Sequence, residues 1–405
     1  MLHSNCHKFF IMMFFIVAAA SASPTSPIRL RASGSDWSAT GRAHAFALTH
    51  DDKAPAFTWA PQHPGRGARQ SAYEIEVSDA AGRAVWRSGK VISGEPRCTF
   101  PLSAAPPLRT ASTYRWHVTT FDGQDERSPA AHAAFHVAPA PIDWNKTSWL
   151  GSATSNMYRA TFDAPAAAPV SSVLYVSGLG YSVVSLNGKP LNTLVTAPWT
   201  NNAHTVGFSS FDVTNALAAN NTLTVALGNG WRDTKAFPVR DPADVKSQGV
   251  QWRMLRAMLV VTHADGSTKM LTHTGDGTWT AASGPSTFDS VYDGETYDAR
   301  IADQLFQSSS SSAAALWSPA AIATGPAGRM VAWAVAPVQL LATIAPTNLT
   351  TPRPSLYVLD FGVRRAGVVR LSGLKCARGD VIVMRHAEIL QVHEEPFLCP
   401  SDSSA

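Results

Sequence analysis

Tyr181-Ser182-Val183-Val184-Ser185-Leu186-Asn187-Gly188 decides the fold: an apolar strand run that stops on Asn-Gly, a strong two-residue hairpin signal. Working outward, Ser172–Val176 precedes it, and Thr222–Leu227 and Met254–Val261 follow as further strands. Asp265-Gly266 supplies a second hairpin signal. About 160 residues of strand, 142–303, without a convincing amphipathic helix predict a jelly-roll sandwich. Upstream, Ala56–Trp59, Tyr73–Val77, Ala84–Trp86 and Tyr114–Val118 alternate with period two between Gly and Pro breaks. Residues 55–138 are therefore expected to form a fibronectin- or immunoglobulin-like two-sheet sandwich, with Trp59, Trp86 and Trp116 in its core.

The remaining boundaries follow from composition. Residues 23–54 read as a polar leader or linker, Ala138-Pro139-Ala140-Pro141 as a short stiff spacer, and 304–332 as a Ser/Ala-rich linker. A third unit, 333–405, offers strands at Tyr357–Phe361, Val368–Leu371 and Val381–Arg385 before the chain ends in a turn-rich stretch. Three strands without a close predict an incomplete domain. The fold class is all-β: tandem sandwich and jelly-roll domains plus an unfinished third.

His3, His7 and Lys8 precede the apolar run Phe9–Ala20, which exits through Ala20-Ser21-Ala22, the order of a secretory signal over residues 1–22. An apolar core of about 12 residues falls short of the ~20 that a spanning helix needs. Cleavage after Ala22 and a secreted, soluble mature chain are expected. Cys6 leaves with the signal, and Cys98, Cys376 and Cys399 are too few for a disulfide scaffold; a Cys376–Cys399 bridge stays open. N-x-[ST] sequons stand at Asn145, Asn220 and Asn348. A net charge of +4, from 33 basic and 29 acidic side chains without a basic run, argues against a nucleic-acid partner.

Several segments together resemble the N-terminal region of bacterial-type α-L-rhamnosidases, inverting glycoside hydrolases. Phe57-Thr58-Trp59, Gln70–Tyr73, Val85–Lys90 and Tyr114-Arg115-Trp116 look like the family's leading fibronectin-like domain. Tyr175–Tyr181, Leu186–Lys189, Pro198–Thr200, Phe211–Thr214, Leu227–Trp231, Ala264–Ser267 and Tyr292–Arg300 look like its jelly roll, in order. Asp360-Phe361-Gly362, Ala366-Gly367 and Arg385–Leu390 are similar to the start of its concanavalin-like domain, with Val363-Arg364-Arg365 departing from the usual Gln-Asn pair. The resemblance implies an enzyme whose paired carboxylates sit in a helical (α/α)6 barrel. Such a barrel requires about a dozen amphipathic helices, which these residues lack, so the chain is expected to stop before the catalytic centre.

Among the carboxylates present, Asp293, Glu295 and Asp298 read as salt-bridge and turn groups, and Glu388, Glu394 and Glu395 as exposed charge. His386-Ala387-Glu388 lacks the further ligands a metal needs, and neither G-x-S-x-G nor H-E-x-x-H occurs. No cofactor is required. The residual activity is sugar binding, for which the resemblance implies rhamnose, with calcium, in the middle domain. Candidates beside turns are Asn187, Trp199, Asn229 and Trp231, with Asp233 for calcium. Against them, Asn187-Gly188 reads as a bare turn and both tryptophans as core. The partners expected are rhamnose-containing glycans, with no membrane after signal cleavage. A secreted, non-catalytic rhamnose-binding protein derived from the family is the alternative, and a β-sandwich adhesion protein the third.

Overall fold

A computed structural model of the chain describes residues 23–33, 44–45, 47–48, 54–101, 103, 105–191, 200–231, 253–291, 293–306, 314–333, 338 and 340–387. The expected signal, Trp199, Asp233, Cys399 and the chain beyond 387 lie outside these residues.

The first sandwich uses β1 (Thr25–Ala32), β3 (Ala47–Leu48), β4 (Ala56–Gln62), β5 (Ala72–Asp79), β6 (Ala84–Arg87), β7 (Val91–Ile92), β8 (Arg97–Thr99), β9 (Ser112–Phe121) and β10 (Ala131–Val137), whereas β2 (His44–Ala45) pairs into a sheet of the second. One sheet runs β1-β4-β8, and the other β3-β10-β9-β5-β6 with β7 beside β5. Period-two alternation sends Ile75 and Val77 of β5, and Tyr114, Trp116 and Val118 of β9, into the core. There Phe57 packs on Trp116 and Phe135 at 4.7 and 5.6 Å between centroids. Trp59 and Trp116 are buried, and half-buried Trp86 meets Phe100 edge-on, as expected of core rings.

The stretch 23–54 differs from the expected leader. β1 pairs with β4, β3 runs parallel to β10, and Leu30 and Ala32 enter the core. The open edge of β4 offers backbone hydrogen bonds that polar composition could not reveal.

The second sandwich begins with α1 (Pro141–Trp144), β11 (Trp149–Gly151), β12 (Met157–Asp163), β13 (Ser171–Leu179), β14 (Tyr181–Leu186), β15 (Lys189–Pro190), β16 (Thr205–Asp212), β17 (Asn220–Gly228) and β18 (Met254–Thr262). It continues with β19 (Thr268–His273), β20 (Trp279–Ala282), β21 (Ser286–Ser290), β22 (Gly294–Tyr297), α2 (Ala299–Phe306), β23 (Ser318–Pro319), β24 (Ile322–Ala323) and β25 (Arg329–Ala332). An eight-stranded sheet, β2-β16-β13-β18-β11-β24 with β19 and β25 alongside, faces the six-stranded β15-β14-β17-β12-β20-β23. Leu174, Phe211 and Leu259 of the first meet Tyr158, Val225 and Trp279 of the second.

All nine residues of β13 are buried, because its other face is covered as well. Val173 and Tyr175 pack with Trp144, Phe208 and Met330. The Ala-Pro segment is thus an anchored joint rather than a free spacer: Ala138 is buried in this second cluster, and Trp144 packs 5.0 Å from Phe208. Across the joint, buried His136 contacts Tyr175 Oη through Nε2 and Thr113 Oγ1 through Nδ1, and Thr113 Oγ1 reaches Ser171 Oγ. Arg83 and Arg109 donate to the carbonyls of Asp265 and Gly266. Both sandwiches fall within one compact unit, residues 1–338.

Three further readings are corrected. The Asp265-Gly266 turn is a three-residue loop, His263 and Ser267 bonding across it and Gly266 at φ 85°. Residues 304–332 are not a linker: β23, β24 and β25 each pair into a sheet, and Leu305, Trp317 and Met330 are buried. The serine run masked the apolar area that its flanks bury. In the unit 339–405, β26 (Asn348–Arg353) pairs with β27 (Leu356–Asp360), which is the expected strand at 357–361. The stretches 368–371 and 381–385 form no strand, and their Val, Leu and Ile side chains are exposed. Alternation gives a strand only where a neighbour accepts its hydrogen bonds, and none does among the described residues.

Candidate functional site

The sugar candidates do not converge on one place. Asn187 and Gly188, at φ 53° and 74°, form the primed turn between β14 and β15. The Asn187 amide is consumed there: Oδ1 accepts from Thr222 N–H at 2.9 Å, and Nδ2 donates to Asn221 Oδ1 at 3.0 Å and Ala216 O at 3.2 Å. Asn229 and Trp231 follow the other end of the same ladder, where Tyr181 pairs with Gly228. Six strand residues put the two ends about 20 Å apart.

The Tyr181 end is built on close backbone approach. β13 turns into β14 at Gly180, whose φ is 93°, and a Cβ there would sit 2.1 Å from Gly228 O. Gly230 repeats the arrangement, since a Cβ on it would press on Tyr181 Cδ1 at 3.0 Å. The two glycine-flanked chains therefore interlock and set Tyr181 beside Trp231. The Trp231 indole N–H donates to Tyr181 Oη, which opposes the upward push of burial on the phenol's pKa. Trp231 keeps 37% of its surface exposed, so its ring is not core.

The hairpin β21–β22 clamps this loop. Asp289 Oδ1 accepts from Asn229 N–H at 2.5 Å, Asn229 Nδ2 donates to Asp289 O at 2.9 Å, and Arg253 lies 3.4 Å from Asp289 Oδ2. Asn229 Oδ1 has no partner among the described residues, and Tyr181 retains its own O–H to donate. Chemically the corner offers an indole face, one amide acceptor and one phenol donor, a set suited to a ring with an apolar face and hydroxyl edges. Sequence reading found Asn229 and Trp231 through their turn. It missed Tyr181, concealed as a strand residue, and Asp289 and Arg253, which sequence separation hides.

Two of the three carboxylates of the acidic motif, Asp293 and Asp298, hold turn and salt-bridge positions. Asp293 accepts from Ser290 Oγ at 2.9 Å, next to Gly294 at φ 90°, and Asp298 pairs with Arg300 at 2.7 Å. Among the described residues no group of three His, Cys, Asp or Glu side chains is placed to hold a metal. Both oxygens of Asp289 are engaged, and the expected calcium ligand Asp233 lies outside the described residues.

Residues 40–139 match the Rha78A-like N-terminal immunoglobulin domain, and residues 167–342 the α-L-rhamnosidase N-terminal domain. An α-L-rhamnosidase of Streptomyces avermitilis is 29% identical over 277 residues, covering 68% of this chain and 26% of its own length. One of Formosa agariphila is 24% identical over 366 residues, covering 82% of this chain and 38% of itself. A solved Streptomyces avermitilis α-L-rhamnosidase, complexed with L-rhamnose, shares the fold at TM-score 0.64 and 18% identity, over 84% of this chain and 49% of that one. The chain thus spans well under half the length of these curated relatives. Two domain matches in succession, carried on the matching pair of β sandwiches, show that this chain carries the immunoglobulin-like and N-terminal domains that α-L-rhamnosidases have in their N-terminal region.

Proposed function

We propose that these β domains serve an inverting α-L-rhamnosidase as its sugar-gripping, non-catalytic part, with the jelly roll's Tyr181–Trp231 corner taking a terminal rhamnose. The observation that carries the reading is the half-exposed Trp231 ring fixed by Tyr181 beside the open Asn229 oxygen. Rhamnose has a methyl group and C–H faces for the indole and hydroxyls for the phenol and amide. Inverting hydrolysis needs two carboxyl groups roughly 6.5–9.5 Å apart with room for a water. Asp289, Asp293 and Asp298 around this corner are committed to backbone N–H groups, serine and arginine, so these three are poor candidates for that pair.

Calorimetry with L-rhamnose tests the corner, run once with calcium and once with a chelator. Saturable binding at millimolar affinity that Trp231→Ala removes is expected. A requirement for calcium that Asp233→Asn removes assigns Asp233 a ligand role, and flat titrations in both arms overturn the site. Export is part of the same reading, since a polysaccharide must be met outside the cell. N-terminal sequencing of protein recovered from the medium should begin at Ser23, and retention of residues 1–22 would contradict it.

A further inference from the structure

The outer face of the six-stranded sheet carries a second group of polar side chains, away from the Trp231 corner. Register sets Ser185, Thr224, Arg159 and Thr280 side by side on β14, β17, β12 and β20. They share a face because Val184, Val225, Tyr158 and Trp279, their chain neighbours, point into the core. One row along, Met157 and Ala282 are roofed by Leu305 of α2 and by Trp317. The roof ends there, and the Arg159 row stays half-exposed.

Arg300, the arginine at the start of α2, pairs with Asp298. The Arg159 guanidinium lies 4.2 Å from the Trp317 ring centroid, and no carboxylate pairs with it among the described residues. Burial disfavours its charge, and no anion compensates. Stacking on an indole fixes the guanidinium plane and leaves its N–H edge as a fork. Such a fork matches a carboxylate through two parallel hydrogen bonds. Strands spaced about 4.8 Å apart place Thr224 one strand and Ser185 two strands, roughly 10 Å, from Arg159, a span that a disaccharide covers.

We propose that this row is a second glycan subsite, selective for a uronic acid, with Arg159 clamping the carboxylate and Thr224 and Ser185 meeting ring hydroxyls. It is independent of the rhamnose corner. The test is an NMR titration of the full chain with two disaccharides, one ending in glucuronate and one in galacturonate, each also as its methyl ester. The ester keeps every hydroxyl and removes the charge.

At least one free acid should bind at millimolar concentration and move the Arg159 and Thr224 amides, with its ester at least tenfold weaker. Arg159→Gln should weaken the acid at least tenfold and Thr224→Val several-fold, while Trp231→Ala leaves it unchanged. Arg159→Lys, which keeps the charge and loses the fork, should also bind more weakly, and decides the matter if Arg159→Gln fails to fold. Failure of both acids to bind, an ester as good as its acid, full binding by Arg159→Lys, or equal competition by inorganic sulfate would each overturn the proposal. The rhamnose reading has its own readout in Trp231→Ala calorimetry, so either site can fail alone.

Discussion

Asn187 holds a left-handed backbone and spends both ends of its amide on the turn it begins. Asn187→Ala removes those bonds and strains the turn, a loss of roughly 1–2 kcal/mol. Urea denaturation should show that loss, while rhamnose calorimetry stays unchanged; a loss of binding with intact stability would return Asn187 to the sugar site. Gly180→Ala is harsher, because the added methyl meets the Gly228 carbonyl at 2.1 Å in a left-handed conformation. It should lose about 3 kcal/mol or more, read as a lower urea midpoint, and wild-type stability would contradict the interlocked glycines. At this scale the sequence was half legible. Asn-Gly announced its turn, and Trp231 announced itself by standing beside one. Tyr181 and Asp289 did not, since their partners lie 50 and 60 residues away in the chain.

Strands were read well wherever they alternate and find a partner, as β5, β9, β14, β17 and β18 do. The failures share one cause. β1 and the short β23, β24 and β25 are additions to sheet edges, specified by the edge that receives them, whereas 368–371 and 381–385 have the pattern without an edge. On β18, Arg256 shows how an element can be fixed by a single side chain. Its guanidinium lies 5.7 Å from both the Trp144 and Trp149 rings and donates to Thr147 Oγ1 at 2.6 Å and Thr147 O at 3.0 Å. Arg256→Lys keeps the charge, yet cannot span those acceptors, and should lose roughly 2–4 kcal/mol by chemical denaturation. An unchanged midpoint would show that the fork is dispensable.

The joint between the two sandwiches is where the molecule should respond to pH. Burial pushes the His136 imidazole down to about 3, against about 6.5 in the unfolded chain. The unfolded state therefore takes up the proton first. The native state keeps its full advantage above about pH 6.5 and loses it as pH falls from there towards 3. Between pH 7 and 5 this amounts to roughly 2 kcal/mol. His117, lowered chiefly by burial, acts in the same direction. Melting temperature should fall more steeply with acid in the native chain than in His136→Gln, and parallel slopes would remove His136 as the cause.

At the scale of the whole molecule, sequence motifs gave a domain order, and two family domains match in succession over residues 40–139 and 167–342. The proposed function divides accordingly: the Trp231 corner would take the sugar, while Asp289, Asp293 and Asp298 beside it are held by backbone N–H, serine and arginine groups. The most direct test of that division is an assay of the purified 405-residue chain with p-nitrophenyl α-L-rhamnoside. No release of p-nitrophenol above the buffer blank is predicted, under conditions in which L-rhamnose saturates the Trp231 corner. Steady turnover that Trp231→Ala leaves intact would place a catalytic pair within these residues and contradict the account.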